Sequence, residues 1–131
     1  MVTNSDYCNN EKLIHEWVAS GDRVVCERNQ IIYEENLQAK SLYLLEQGDI
    51  NISQDGIVLF SLSRLGDIIG WSSLYKNAIY QTTAVSTTIS SVIRIPGETA
   101  QEILDKHKNT KNELCKHFDY MFSKQMVKKT G

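Results

Sequence analysis

Residues 65–85 read Leu-Gly-Asp-Ile-Ile-Gly-Trp-Ser-Ser-Leu-Tyr-Lys-Asn-Ala-Ile-Tyr-Gln-Thr-Thr-Ala-Val. Gly66-Asp67 is a turn pair, since both residue types suit tight backbone reversals. From Ile79 onward the chain is dense in β-branched residues: Ile79, Thr82, Thr83, Val85, Thr87, Thr88, Ile89, Val92, Ile93 and Ile95. Branching at Cβ restricts χ1 and favours a pleated strand over a helix. Pro96-Gly97 stops the run. The decisive stretch is therefore turn, short connection, then strands.

Working outward, the same grammar continues on the N-terminal side. Residues 49–62 read Asp-Ile-Asn-Ile-Ser-Gln-Asp-Gly-Ile-Val-Leu-Phe-Ser-Leu, two alternating strands around Asp55-Gly56. Two central residues that tolerate positive φ predict a type I′ hairpin. Residues 22–26, 30–33 and 42–46 are further short apolar runs of strand type. Ahead of them, Leu13, Ile14, Trp17 and Val18 recur at helical spacing, which predicts a helix over 10–20 ending near Gly21. Beyond Pro96 the pattern is helical again over 98–127. Ile103 and Leu104 carry the first helix, and Leu114, Phe118, Met121, Phe122 and Met126 form an apolar stripe in 111–127. That stripe either packs on the domain's own core or pairs with a second copy in a homodimer. One helix, about eight short strands and terminal helices make a mainly β fold of sandwich, roll or barrel type.

The bulk properties narrow the function classes. The chain has 131 residues, 41% hydrophobic and 23% charged, as expected for one globular domain spanning 1–131. A net charge of −2 argues against a nucleic-acid binder, which needs a basic stripe to displace counterions from phosphates. Lys124, Lys128 and Lys129 read as a solvated tail. Cys8, Cys26 and Cys115 are odd in number and lack CxxC spacing, so neither a disulfide framework nor a zinc site is indicated. No run is long and apolar enough to span a membrane, and the N-terminus lacks signal-peptide character; a cytoplasmic protein is expected.

Residues 65–85 resemble the phosphate-binding cassette of cyclic-nucleotide-binding domains. In that family a Gly-Asp turn leads to Phe-Gly-Glu, a one-turn helix, a variable loop, and an Arg-Ala-type segment opening a strand. Here Gly66-Asp67, Gly70 and Thr83-Ala84-Val85 stand at the family's spacing, and Gly48 occupies the place of a near-obligatory turn glycine. The resemblance covers roughly residues 10–122. It implies a double-stranded β-helix or jelly-roll β-roll, cupin-like, with flanking N- and C-terminal α-helices, the roll over 22–96 and the cassette over 66–85. It also implies a non-enzymatic, regulatory small-molecule sensor.

In the family, the glutamate after the cassette glycine holds the ribose 2′-hydroxyl. An arginine further on pairs with the cyclic phosphate, charge against charge. Here those positions are Trp71 and Gln81. Losing one member of a desolvated charge pair costs about 2–5 kcal/mol, so cyclic AMP bound in the usual way is not expected. The candidate ligand-binding residues are Gly70, Trp71, Ser72, Ser73, Gln81, Thr82 and Thr83. Each has a plainer reading. Ser72 and Ser73 would cap the one-turn helix more readily than touch an anion. Thr82 and Thr83 are good strand residues in any case. Trp71 either stacks on an aromatic ligand or plugs the cavity itself. Gln81 keeps a neutral hydrogen bond but cannot balance a phosphate.

No catalytic set or metal site emerges. On a helix Cys115 and His117 would point to different faces, and no histidine lies between residues 16 and 106, which weakens a cupin-type metal enzyme. The expected cofactor list is empty, apart from a cyclic nucleotide or another small anionic or aromatic ligand. The chain ends at Lys-Lys-Thr-Gly without a helix-turn-helix, so no direct DNA binding is expected. The alternative is a ligand-free interaction or dimerisation module on the same fold.

Overall fold

The computed structural model describes residues 4–113, the first seven of them by backbone alone. The order is α1 (Asn4–Ser20), β1 (Asp22–Cys26), β2 (Ile31–Tyr33), β3 (Ser41–Gln47), β4 (Ile50–Gln54), β5 (Ile57–Leu62), β6 (Ile68–Ile69), a 3-10 turn (Trp71–Leu74), β7 (Thr83–Ser86), β8 (Ser90–Pro96) and α2 (Gly97–Asp105). The strands form two four-stranded antiparallel sheets. One has the order β1-β8-β3-β6, the other β2-β7-β4-β5. The expected β-roll is the observed fold.

Two cores hold these layers, and strand alternation explains both. Side chains of a strand point to opposite faces. On β8, Val92 faces the second sheet, while Ile93 and Ile95 face the helices; on β6, Ile69 and Ile68 divide in the same way. The inter-sheet core contains Cys26, Tyr33, Leu45, Ile50, Ile52, Ile69, Tyr80, Ala84 and Val92. The second core lies between the first sheet and the helices. There Leu42, Leu44, Ile93 and Ile95 meet Leu13 and Trp17 of α1 and Ala100, Ile103 and Leu104 of α2. Each such aliphatic side chain fully buried contributes about 1.5–3 kcal/mol. Trp17 is completely enclosed, and its indole N–H donates to the Ala100 carbonyl at 3.1 Å, which locks α1 to α2.

The Asp55-Gly56 turn has positive φ at both residues, 51° and 81°, as the type I′ reading requires. Two helix boundaries differ from expectation. The first helix begins at Asn4 rather than residue 10. Asn4, Ser5 and Asp6 are residue types that open helices, and residues 7–10 contain no breaker. The helix after the roll starts at Gly97 and ends at Asp105. A break at Lys106 and His107 precedes helical backbone over 108–113. The rest of the predicted 111–127 stripe, from Leu114 to Met126, lies outside the described residues. Among the described residues, no helix is long and apolar enough to cross a membrane.

Candidate functional site

The cassette is built on one left-handed glycine. Gly70 has φ 76° and ψ 36°, the left-handed region that a Cβ disfavours, and it reverses the chain out of β6 into the 3-10 turn. An ideal Cβ there would lie 3.1 Å from Cε1 of Tyr80, 3.3 Å from Cε2 of Tyr33 and 3.3 Å from the Ser41 carbonyl oxygen. The glycine thus provides both the turn and the close approach of two aromatic rings.

Those rings define the interior of the site. Tyr33 and Tyr80 stack with centroids 4.0 Å apart, and Tyr43 continues the stack on Tyr33 at 6.1 Å. The Tyr80 hydroxyl donates to the Ser41 carbonyl at 2.6 Å and accepts from the Ser41 amide at 3.1 Å. The Tyr33 hydroxyl pairs with Thr82 Oγ1 at 3.2 Å. Burial pushes the Tyr33 phenol upward and lifts Tyr80 to about 12, so both stay neutral donors at physiological pH.

The seven residues singled out from the sequence do not share one surface. Ser73 is fully enclosed, and its hydroxyl donates to the Gly70 carbonyl at 2.8 Å. Ser72 is also buried, and no side chain caps the turn's N-terminus; the expectation of serine capping is corrected, because both serines lie inside the turn rather than ahead of it. Trp71 is half-buried and packs against the helix-side core, edge-on to Tyr75 with centroids 6.3 Å apart. Gln81 is exposed, and its backbone carbonyl accepts a 3.0 Å hydrogen bond from Gln54 Nε2. Thr82 joins Gly70, Tyr33 and Tyr80 at the inner end. The Thr83 hydroxyl instead donates to Glu35 Oε1 at 3.2 Å and accepts from the Glu35 amide at 3.0 Å. The Glu35 carboxylate in turn accepts from the Asp55 amide, tying the β4–β5 hairpin to the cassette exit.

Tyr33, Tyr80, Ser41 and Glu35 were not among the expected residues. A signal for Tyr80 exists in the period of two. Counting back from buried Ala84 reaches Thr82 and then Tyr80 on the inner side, leaving Gln81 outward. The turn is also coupled to α2. Gln101 Nε2 donates to the enclosed Ser73 carbonyl at 2.8 Å, and the Gly97 amide donates to the Lys40 carbonyl at 2.8 Å.

Two stacked antiparallel sheets, a left-handed glycine leading into a 3-10 turn, and helices packed on one outer face define a β-roll sensor domain. The chain belongs to the cyclic nucleotide-binding domain family, whose model matches residues 23–107, more than half of the sequence. Members of this family are regulatory domains.

Solved structures agree on the fold. The c-di-GMP-responsive global regulator of Xanthomonas campestris superposes with a TM-score of 0.68 at 16% identity, over 92% of this chain and 61% of that one. The Thermus thermophilus catabolite activator protein gives 0.72 at 14% identity, over 89% and 57%. The sensor domain of the transcriptional regulator DNR from Pseudomonas aeruginosa gives 0.69 at 15% identity, over 88% and 81%. The chain spans less than two thirds of the length of the first two. No curated protein matches it by sequence.

Proposed function

We propose that residues 1–131 act as one cytoplasmic, non-enzymatic regulatory sensor unit whose cassette does not hold a cyclic nucleotide by the charge pairing usual in its family. One observation carries the reading. The cassette keeps its left-handed Gly70, yet the two charged positions are Trp71, packed on the helix-side core, and Gln81, exposed and neutral. The Glu35 carboxylate bonded to Thr83 adds negative charge at the strand end where the family presents a cation. A ligand of this site is a small molecule other than cyclic AMP bound in the usual way. Its signal would leave through Gln101, which links the turn to α2.

The test is calorimetric titration of cyclic AMP and cyclic GMP into the wild-type protein and into Trp71→Glu, Gln81→Arg. Restoring a desolvated charge pair is worth about 2–5 kcal/mol, or roughly 30- to several-thousand-fold in affinity. Wild type is expected to give no saturable heat at micromolar concentration, and the double variant is expected to bind. Micromolar binding by the wild type, or a folded double variant that stays inert, overturns the reading.

A second reading is favoured by the Tyr33–Tyr80 stack beside Gly70, which fills the inner end of the cassette with the protein's own rings. On this reading the domain is ligand-free and works through a partner or a second copy of itself, paired along 111–127. A thermal-shift panel of nucleotides and aromatic acids separates the two. A ligand at a hundred times its Kd adds about 2.7 kcal/mol, whereas a ligand-free module shows no shift. Light scattering over a concentration series reads the dimer directly.

A further inference from the structure

The hairpin of β4 and β5 leaves one edge of the second sheet open. That sheet has the order β2-β7-β4-β5, so β5 is an outermost strand. Among the described residues, no loop or helix backbone is hydrogen-bonded to its free side. Edge strands are usually guarded by charges, prolines or bulges. β5 reads Ile-Val-Leu-Phe-Ser-Leu, with no charge and no proline, and keeps only a bulge. Its Ile57 and Val58 are 55% and 54% exposed. The turn sets which backbone groups face outward. Gln54 and Ile57 close the Asp55-Gly56 turn as a hydrogen-bonded pair, so by alternation Val58 directs its N–H and C=O away from β4. The bulge then brings Phe60 opposite Ile52, and Ser61 is the next residue to face outward.

We propose that β5 pairs antiparallel with β5 of a second copy about a two-fold axis, joining the two second sheets edge to edge. In such a contact residue i meets j and j meets i. Both outward residues of both copies are used only where Val58 meets the second copy's Ser61. In that register exposed Ile57 lies opposite the second copy's Leu62, and two-fold symmetry matches the bulge of one strand with that of the other. The same register brings Asp55, in the turn before the strand, level with the second copy's Arg64, just past its strand, once at each end. Both residues are exposed and opposite in charge. Opposite charges across strands favour a register and like charges oppose it. The alternative registers lack this match. Ser61 against Ser61 brings Asp55 level with Asp67, carboxylate against carboxylate, and Val58 against Val58 brings Asp55 level with Ser61. Main-chain hydrogen bonds supply the affinity, as in other strand additions. The surface is separate from the cassette and from 111–127, and it is independent of what either of them binds.

The experiment is light scattering of the full chain over about 1–100 µM, for wild type, Val58→Lys, Arg64→Glu, and Arg64→Glu combined with Asp55→Asn. Wild type is expected to rise toward twice the monomer mass. Val58→Lys places a charge on the open edge, and Arg64→Glu sets like charges face to face; each is expected to weaken the dimer by about tenfold or more. Adding Asp55→Asn to Arg64→Glu relieves the repulsion, keeps a residue type suited to the positive φ of 51°, and is expected to recover part of the affinity. Thermal melts check that each variant is folded. Should Val58→Lys fail to fold, Arg64→Glu lies outside the strand and still carries the test. A wild type that stays monomeric, or a dimer that neither single change weakens, overturns the proposal.

Discussion

The phenol rings of Tyr33 and Tyr80 stack with centroids 4.0 Å apart and planes inclined by 23°, against the bare α-carbon of Gly70. One ring comes from β2 and the other from the loop before β7, so the stack pins the cassette exit to the second sheet. It also places a hydroxyl from each ring where it finds a partner, Thr82 for Tyr33 and Ser41 for Tyr80. Tyr80→Phe retains the stack and loses the Ser41 bonds, a cost of about 1–2 kcal/mol. Tyr80→Ala removes the ring and leaves a cavity, a cost of about 3–5 kcal/mol by analogy with other aromatic truncations. Urea unfolding of the two variants checks the order and the gap.

Replacement of Gly70 should be costly for two separate reasons. An alanine would occupy a left-handed conformation that costs about 1–2 kcal/mol. Its Cβ would also press on the Tyr80 ring at 3.1 Å and on the Ser41 carbonyl oxygen at 3.3 Å. Gly70→Ala is expected to destabilise by about 2–3 kcal/mol. Denaturant titration should show a lower midpoint with an unchanged slope.

Gln101→Ala removes the donor that serves the enclosed Ser73 carbonyl. A buried acceptor left unpaired costs about 1–3 kcal/mol. The loss should appear locally as faster amide exchange in 70–75 and in the first turn of α2, with the inter-sheet strands unchanged. Uniformly faster exchange would place the effect elsewhere than in this link.

The outer face of the first sheet carries a pH-dependent contribution. Glu46 accepts both arms of the Arg23 guanidinium at 2.7 and 2.9 Å, and the Ser91 hydroxyl at 2.7 Å. The Arg23 bond chiefly, and then the Ser91 bond, hold its carboxyl down to about 2. A carboxyl depressed in the folded state stabilises fully above its unfolded value of about 4.3. That contribution disappears as pH falls toward 2. Wild type is therefore expected to exceed Glu46→Gln in Tm at neutral pH, with the gap closing in acid and shrinking in high salt because Arg23 is exposed.

Much of the architecture was legible because strand and turn chemistry is local. The β-branched run from Ile79 to Ile95, stopped at Pro96-Gly97, became β7 and β8, and Asp55-Gly56 became the hairpin turn. Helix ends were less legible, since propensity changes gradually where caps are weak. Asn4 and Gly97 open helices that periodicity alone starts later. Within the site, the sequence marked Gly70, and the family resemblance singled out Trp71 and Gln81, with Trp71 expected either to stack on a ligand or to plug the cavity. In the structure Trp71 packs against the helix-side core.

The order of residues alone determined the strand succession and the tight turns, because each depends on neighbours a few positions apart. Only the tertiary structure decided what fills the space beside Gly70. Tyr33 and Tyr80 are 47 residues apart in the chain, and nothing local announces that their rings meet. The same holds for Trp17 and Ala100, 83 residues apart and joined where α2 packs on α1. Contacts of that kind arise from how two sheets and two helices share their apolar faces, and a one-dimensional pattern contains the faces but not their pairing.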